Sequence, residues 1–320
     1  MEQRFEELLE TALYQKATDM HFTIVDNIVT IRLRGINGLI PVETTGDDIR
    51  LFNYLQYMAN MDITCLNRPQ SGAFSYFFQG QFYDFRFAVI QSTHQKNGVL
   101  RILNCHYGLT LDQLTDDSDV RETFTGWLRK RSGLILFTGL TGSGKTTTLY
   151  SLLKMAKGRT IYSIEDPVEV VQDNIVQLEV NDRTGFGYDE GIRQILRHNP
   201  DIIMIGEIRD EKTAKMCIRA ALTGTLVMSS LHARNSFSAV NRLVELGVSR
   251  QDLKDTAIGI VSQRLVKLKN GKGYRCVYDI LQKQELSDAL EGRTVCEQRL
   301  EKKIDEGVKK GIYDERERSF

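Results

Sequence analysis

The chain has no net charge: 42 Lys and Arg balance 42 Asp and Glu over 320 residues. That balance gives no electrostatic reason to expect general nucleic-acid binding, although it leaves room for a local basic patch. The sequence also has no run approaching the roughly 20 apolar residues that a membrane-spanning helix requires. Its first ten residues, MEQRFEELLE, are acidic and amphipathic, unlike a signal peptide. We therefore expect a cytoplasmic protein, for which any membrane association would need a partner. Cysteine is sparse: Cys65, Cys105, Cys217, Cys276 and Cys296 are odd in number and form no C-x-x-C pair. This points to a reducing compartment and away from a zinc site. Internal repeats and low-complexity segments are absent as well.

What is present is ordinary for a globular protein, with 41% hydrophobic and 26% charged residues. The length suggests two domains of about 150 residues each. Over residues 2–17, Phe5, Leu8, Leu9, Ala12 and Leu13 fall on one helix face. Ile28–Leu33, Ala73–Phe78, Phe82–Val89 and Val99–Leu103 read as strands punctuated by glycine. Residues 1–104 are thus expected to form a small α+β domain. Residues 105–119 are polar and end in acids, and read as a linker. From 120 to 320 the pattern is α/β: Leu134–Phe137, Thr160–Ile164, Ile202–Ile205 and Leu226–Ser229 alternate with helical segments. That alternation predicts a mostly parallel sheet covered by helices. The charged tail from about 284 has helical texture and reads as a solvated helix or a docking element, the former favoured.

The strongest signal is Gly139-Leu140-Thr141-Gly142-Ser143-Gly144-Lys145-Thr146, followed by Thr147. It fits G-x-x-x-x-G-K-[ST], follows the apolar run LILF and opens a helical segment. Glycines let backbone N–H groups turn inward around phosphates, and a helix N-terminus adds free donors and partial positive charge. Lys145 would neutralise the β- and γ-phosphates of ATP, and the Thr146 hydroxyl would ligate Mg²⁺. A second acid belongs at the end of a neighbouring buried strand. Asp201-Ile-Ile-Met-Ile-Gly206-Glu207 supplies one. Glu207 would hold Mg²⁺ through water or orient the attacking water; the plainer alternative is a Glu beside Arg209 at a helix start.

In these residues and those flanking them, the sequence resembles one family: the secretion-superfamily ATPases that drive type II secretion, type IV pili and competence pseudopili. GLTGSGKTT resembles the family's GPTGSGKTT, with Leu140 in place of Pro. SIEDPVE at 163–169 resembles its Asp box, DIIMIGEIRD at 201–210 its atypical Walker B, and ALTGTLVMSSLHA at 221–233 its His box. ATDMHF near the N-terminus and QRLV at 263–266 also fit. The resemblance runs from about residue 17 to 283.

That resemblance implies a RecA-like P-loop domain with a mostly parallel sheet, preceded by a smaller PAS-like α+β domain. It implies that Glu169, or alternatively Glu165, is the general base, with Asp166 as the other acid of the box, and that His232 senses the γ-phosphate or the domain arrangement. It assigns Arg86 and Arg101, in DFRFAV and VLRIL, to charge stabilisation; the plainer alternative is surface arginines paired with acids. It implies a homo-hexamer working with a polytopic inner-membrane platform protein and, indirectly, pilin-like subunits, with no direct nucleic-acid contact.

Three departures narrow it. Thr225 stands where the family commonly has a second His; only Cys276 lies where assembly motors carry a tetracysteine zinc motif; and no retraction-type C-terminal motif is present. No zinc is therefore expected. The pattern is most similar to the competence pseudopilus ATPases of Gram-positive bacteria, which implies work in DNA uptake for transformation. Alternatives are another type II secretion or type IV pilus ATPase, a RecA-like nucleic-acid translocase, or a scaffold that binds ATP without turnover.

Overall fold

The computed structural model describes residues 1–35, 38–63, 68–92, 94–103, 109–181, 184–271, 273–293 and 299–318. Contacts divide the chain into two units, Met1–Tyr107 and Gly108–Phe320.

In the first unit, α1 (Glu2–Tyr14) buries Phe5, Leu8, Leu9 and Ala12, the stripe expected of a helix lying on a core. The strands that follow are β1 (Asp19–Val25), β2 (Ile28–Gly35) and β3 (Gly38–Val42). After α2 (Asp48–Met58) come β4 (Gln70–Phe78), β5 (Gln81–Gln91) and β6 (Lys96–Ile102). The described residues form an antiparallel sheet ordered β3-β2-β1-β6-β5-β4. Burial alternates along β2 and β5, so one set of side chains joins α1 and α2 in a single core. Phe22, Phe52 and Phe87 pack there edge-to-face with centroids 5.2–6.0 Å apart. The expected strands fall within β2, β4, β5 and β6, apart from Leu103, which lies beyond the end of β6. Sequence reasoning passed over β1 and β3. Pro41 sits in β3 at the sheet edge, where a missing N–H costs no ladder bond.

The second unit begins inside the stretch read as a linker. Residues 105–108 lie outside the described residues. Beyond them, α3 (Leu111–Leu114) buries both leucines, and α4 (Ser118–Leu128) is capped by Asp117, whose Oδ1 accepts from Asp119 N and Val120 N. Then come β7 (Gly133–Thr138), α5 (Lys145–Met155), β8 (Ile161–Glu165), β9 (Val176–Glu179), α6 (Tyr188–Leu196) and β10 (Ile202–Ile205). They are followed by α7 (Glu211–Leu222), β11 (Leu226–Leu231), α8 (Ser236–Glu245), α9 (Arg250–Thr256), β12 (Ala257–Lys267), β13 (Tyr274–Gln282), α10 (Lys283–Leu290) and α11 (Arg299–Lys309). The sheet order is β13-β12-β7-β11-β10-β8-β9. Among the described residues every neighbouring pair is parallel except β12 with β13. All residues of β7, β10 and β11 are buried, as befits a parallel sheet covered on both faces.

The tail is not a solvated helix. Leu300, Ile304 and Val308 of α11 are buried against Val266 and Val277, Arg299 Nε lies 2.9 Å from Asp279 Oδ1, and Lys303 Nζ donates to Tyr278 O at 2.8 Å. The apolar residues recur every fourth position, so they form one stripe, while the charges between them dominate the composition.

Candidate functional site

The parallel strands carry the boxes of the sequence on one edge. The phosphate loop follows β7, Asp166–Glu169 follow β8, Gly206–Arg209 follow β10 and His232 follows β11. This is the C-terminal edge, where open α/β sheets bind ligands.

The loop folds as its sequence requires. Gly139, Gly142 and Gly144 have φ of 146°, 80° and 87°, values that side chains rarely adopt. A Cβ on Gly139 would also lie 2.4 Å from Gln263 O. Gly144 caps α5, so Lys145, Thr146 and Thr147 form its first turn and leave N–H groups free of helical partners. Leu140 and Thr141 are exposed, whereas Ser143 and Lys145 are buried. Lys145 Nζ donates to Gly139 O at 2.8 Å and Leu140 O at 3.2 Å. Burial pulls its pKa down, and the charge of Glu207 opposes that. Beneath the loop, Gln263 Nε2 donates to Ser143 O at 2.7 Å.

Glu207 sits at the centre of a polar cluster. Ser229 Oγ donates to Ile205 O and Ser230 Oγ to Gly206 O, at 2.8 and 2.7 Å, which fixes the backbone entering Glu207. Glu207 Oε2 accepts from Arg209 Nε at 2.9 Å, and its Oε1 lies 3.2 Å from His232 Nε2. The same guanidinium donates from Nη1 to Asp166 Oδ2 at 2.8 Å. Arg209 therefore ties the end of β10 to the Asp box. Glu207 does stand beside Arg209, but not in a helix: α7 starts at Glu211 and is capped by Asp210. Tyr188 reaches the same cluster, with its hydroxyl 3.3 Å from the position a Cβ on Gly206 would take. Burial pushes its pKa up, and the charge of Arg209 opposes that.

Glu165 is enclosed. Among the described residues it accepts from Tyr150 at 2.5 Å, Ser163 at 2.6 Å and Gln177 Nε2 at 3.2 Å. Burial pushes its pKa up, while those three donors pull it down. The Tyr150 contact joins α5 to the Asp box. We expect Tyr150→Phe to lower stability by about 2 kcal/mol, because it takes a donor from a buried carboxyl; urea unfolding at pH 7 measures it. Glu169 lies four residues further on, half-buried.

Arg86 and Arg101 are directly opposed on β5 and β6, and both are exposed within the first unit. Arg101 Nε pairs with Asp19 Oδ1 at 2.7 Å, and Arg86 Nε donates to Ser71 Oγ at 3.3 Å. Like charges directly opposite repel, and Asp19 offsets this at Arg101. Thr225 precedes β11 whereas His232 follows it. At about 3.3 Å per residue the two stand roughly 20 Å apart, at opposite sheet edges.

Cys217 and Cys276 are buried, and Cys65, Cys105 and Cys296 lie outside the described residues. Among the described residues no cluster of His, Cys, Asp and Glu is arranged to hold a metal on its own, and no helix is long and apolar enough to cross a membrane. A magnesium-bound triphosphate fits what is present. The three glycines make a cradle that side chains would fill, Lys145 and the first turn of α5 supply positive charge and donors, and Thr146 and Glu207 supply hard oxygens.

Sequence reasoning missed Arg209 and Tyr150 as functional residues and quoted Gln263 only as flanking text. The arginine's position two residues after Glu207 was a visible signal; Tyr150 left none.

The family model described as "Type II/IV secretion system protein" matches residues 1–310. Competence protein ComGA of Bacillus subtilis (strain 168) is 35% identical over 266 residues, covering 82% of this chain and 75% of that protein. Competence protein ComGA of Halalkalibacterium halodurans is 33% identical over 308 residues, with 88% of each chain covered. The crystal structure of the pilus retraction motor PilT with bound ADP superposes with a TM-score of 0.74 at 25% identity, covering 98% of this chain and 95% of that one.

Proposed function

Because the chain belongs to the type II/IV secretion system protein family, among the secretion-superfamily ATPases, we propose that it is the Mg²⁺-dependent, ATP-hydrolysing motor that assembles a competence pseudopilus for DNA uptake. The observation that carries the ATPase reading is Glu207 held between Arg209 and His232 on the sheet edge that also bears the phosphate loop. The competence reading is supported by the likeness to the two ComGA proteins.

In this mechanism the loop amides of Gly139–Thr147 and the Lys145 ammonium receive the β- and γ-phosphates. Thr146, with Glu207 through water, would hold Mg²⁺, which when bound neutralises charge on the phosphate oxygens. Glu169 accepts a proton from the attacking water or orients it. Arg209 restrains one oxygen of Glu207, and His232 stands at the other, where it can report the γ-phosphate. Arg86 and Arg101 supply further positive charge to the transferring phosphoryl group. Glu165 holds the Asp box to α5.

The motor reading further includes a ring of six copies at the cytoplasmic face of the membrane, tied to a polytopic platform protein and acting on pilin-like subunits through it. The experiment is phosphate release from ATP by the purified chain, with and without Mg²⁺ and DNA. Mg²⁺-dependent release indifferent to DNA is expected. Hydrolysis that DNA stimulates, and that salt suppresses, would favour a nucleic-acid translocase instead. No release at any condition, with ATP bound, would favour the scaffold.

A further inference from the structure

The QRLV text at 263–266 has no part in the chemistry above. Strand β12 lies beside β7, with Val261 opposite Phe137 and Ser262 opposite Thr138. Gln263 is therefore the next residue along, at the point where the phosphate loop leaves β7. It is 2% exposed. Its Nε2 donates to Ser143 O at 2.7 Å and lies 3.4 Å from Cys276 Sγ. The same Nε2 would be 3.0 Å from a Cβ on Gly144, and the Gln263 carbonyl 2.4 Å from one on Gly139. One residue thus lies under both ends of the loop.

Two physical points turn this support into a role. A trans peptide holds its C=O and N–H on opposite sides. With the Ser143 carbonyl drawn onto Gln263, the Gly144 N–H of the same peptide points away from Gln263. Released from that anchor, the peptide could rotate and offer phosphate an oxygen in place of a donor. Second, Gln263 Oε1 is buried and has no hydrogen-bond partner among the described residues. An unpaired buried acceptor is a cost to stability. A residue kept for packing alone would be apolar here.

We propose that Gln263 is a positioning residue for nucleotide binding: it anchors the Ser143 carbonyl so that the Gly144 amide faces the phosphates. The inference rests on the ATP-binding reading. Its substrate class is any nucleotide carrying a β-phosphate, since the loop amides grip the phosphates and not the base.

The test uses the full chain and Gln263→Met, which keeps length and loses the donor. ATP and ADP should both bind about tenfold weaker or worse, by the same factor, the size expected for losing one charge-assisted hydrogen bond. KM for ATP should rise more than kcat falls, and the melting temperature should stay within about 3 °C of wild type. Wild-type affinity for both nucleotides in the variant overturns the proposal, as does an affinity loss that only follows a lowered melting temperature. Should the variant not fold, the wild-type chain crystallised with ADP decides: Gly144 N on a phosphate oxygen with Gln263 still on Ser143 O supports it, and a Ser143 carbonyl turned to the phosphate overturns it. The nucleotide-site reading fails separately, if the wild-type chain binds neither ADP nor ATP or if Lys145→Ala binds them as well as wild type does.

Discussion

Lys145→Ala should bind ATP at least about 100-fold more weakly than the wild-type chain and show no measurable turnover. The ammonium is buried at the start of α5, and burial disfavours its charge, which the Glu207 carboxylate partly restores. A buried cation of this kind has a large interaction with a triphosphate, because little water competes for it. Removing one partner of a desolvated charge pair costs about 2–5 kcal/mol, which sets the expected factor. Lys145 also donates to the carbonyls of Gly139 and Leu140, so alanine leaves those two oxygens without this donor. Fluorescence titration with a labelled ATP analogue reads the binding, and phosphate release reads the turnover. Full activity in the variant would reject the phosphate-loop assignment.

Glu207→Gln should still bind ATP while its kcat falls about 10³-fold, a size typical of losing a group that acts on the reacting water or metal. The amide has the shape of the carboxylate but not its charge. Arg209 then keeps only Asp166 as a carboxylate partner within the cluster described above, and the group facing His232 becomes neutral. Steady-state kinetics separate this outcome from a binding defect: KM should change little beside kcat. Parallel variants sort the three acids. Glu169→Gln should lose turnover by about 10²–10⁴-fold as the general base. Glu165→Gln should lose far less, since Glu165 already accepts three hydrogen bonds and is enclosed by Tyr150, Ser163 and Gln177. The reverse order would make Glu165 the base.

The parts of this molecule that were legible in the sequence are those whose chemistry lies in adjacent residues. The phosphate loop is one: its glycines, lysine and threonine are contiguous, and all three glycines take positive φ. The strands LILF and IIMI were legible because a fully buried parallel strand is apolar throughout. Strand β1 was passed over although Met20, Phe22 and Ile24 alternate with His21 and Thr23, the same period-2 pattern that revealed β2 and β5. Strand β13 was hidden because Arg275 and Asp279 interrupt its apolar residues. The helical texture of α11 was legible but its docking was not favoured, because its stripe of Leu300, Ile304 and Val308 lies among charges. Arg209 and Gln263 act through contacts 43 and 120 residues away in sequence, and no local pattern encodes those.

The acids and the loop together make one claim: this sheet edge cleaves the terminal phosphate of ATP. Single-turnover release of phosphate from ATP already bound to the chain, started by adding Mg²⁺, tests it most directly. Release by the wild-type chain, slowed about 10³-fold in Glu207→Gln with the nucleotide still bound, is the expected result. Equal release by the two proteins, or release unaffected by leaving out Mg²⁺, would contradict it.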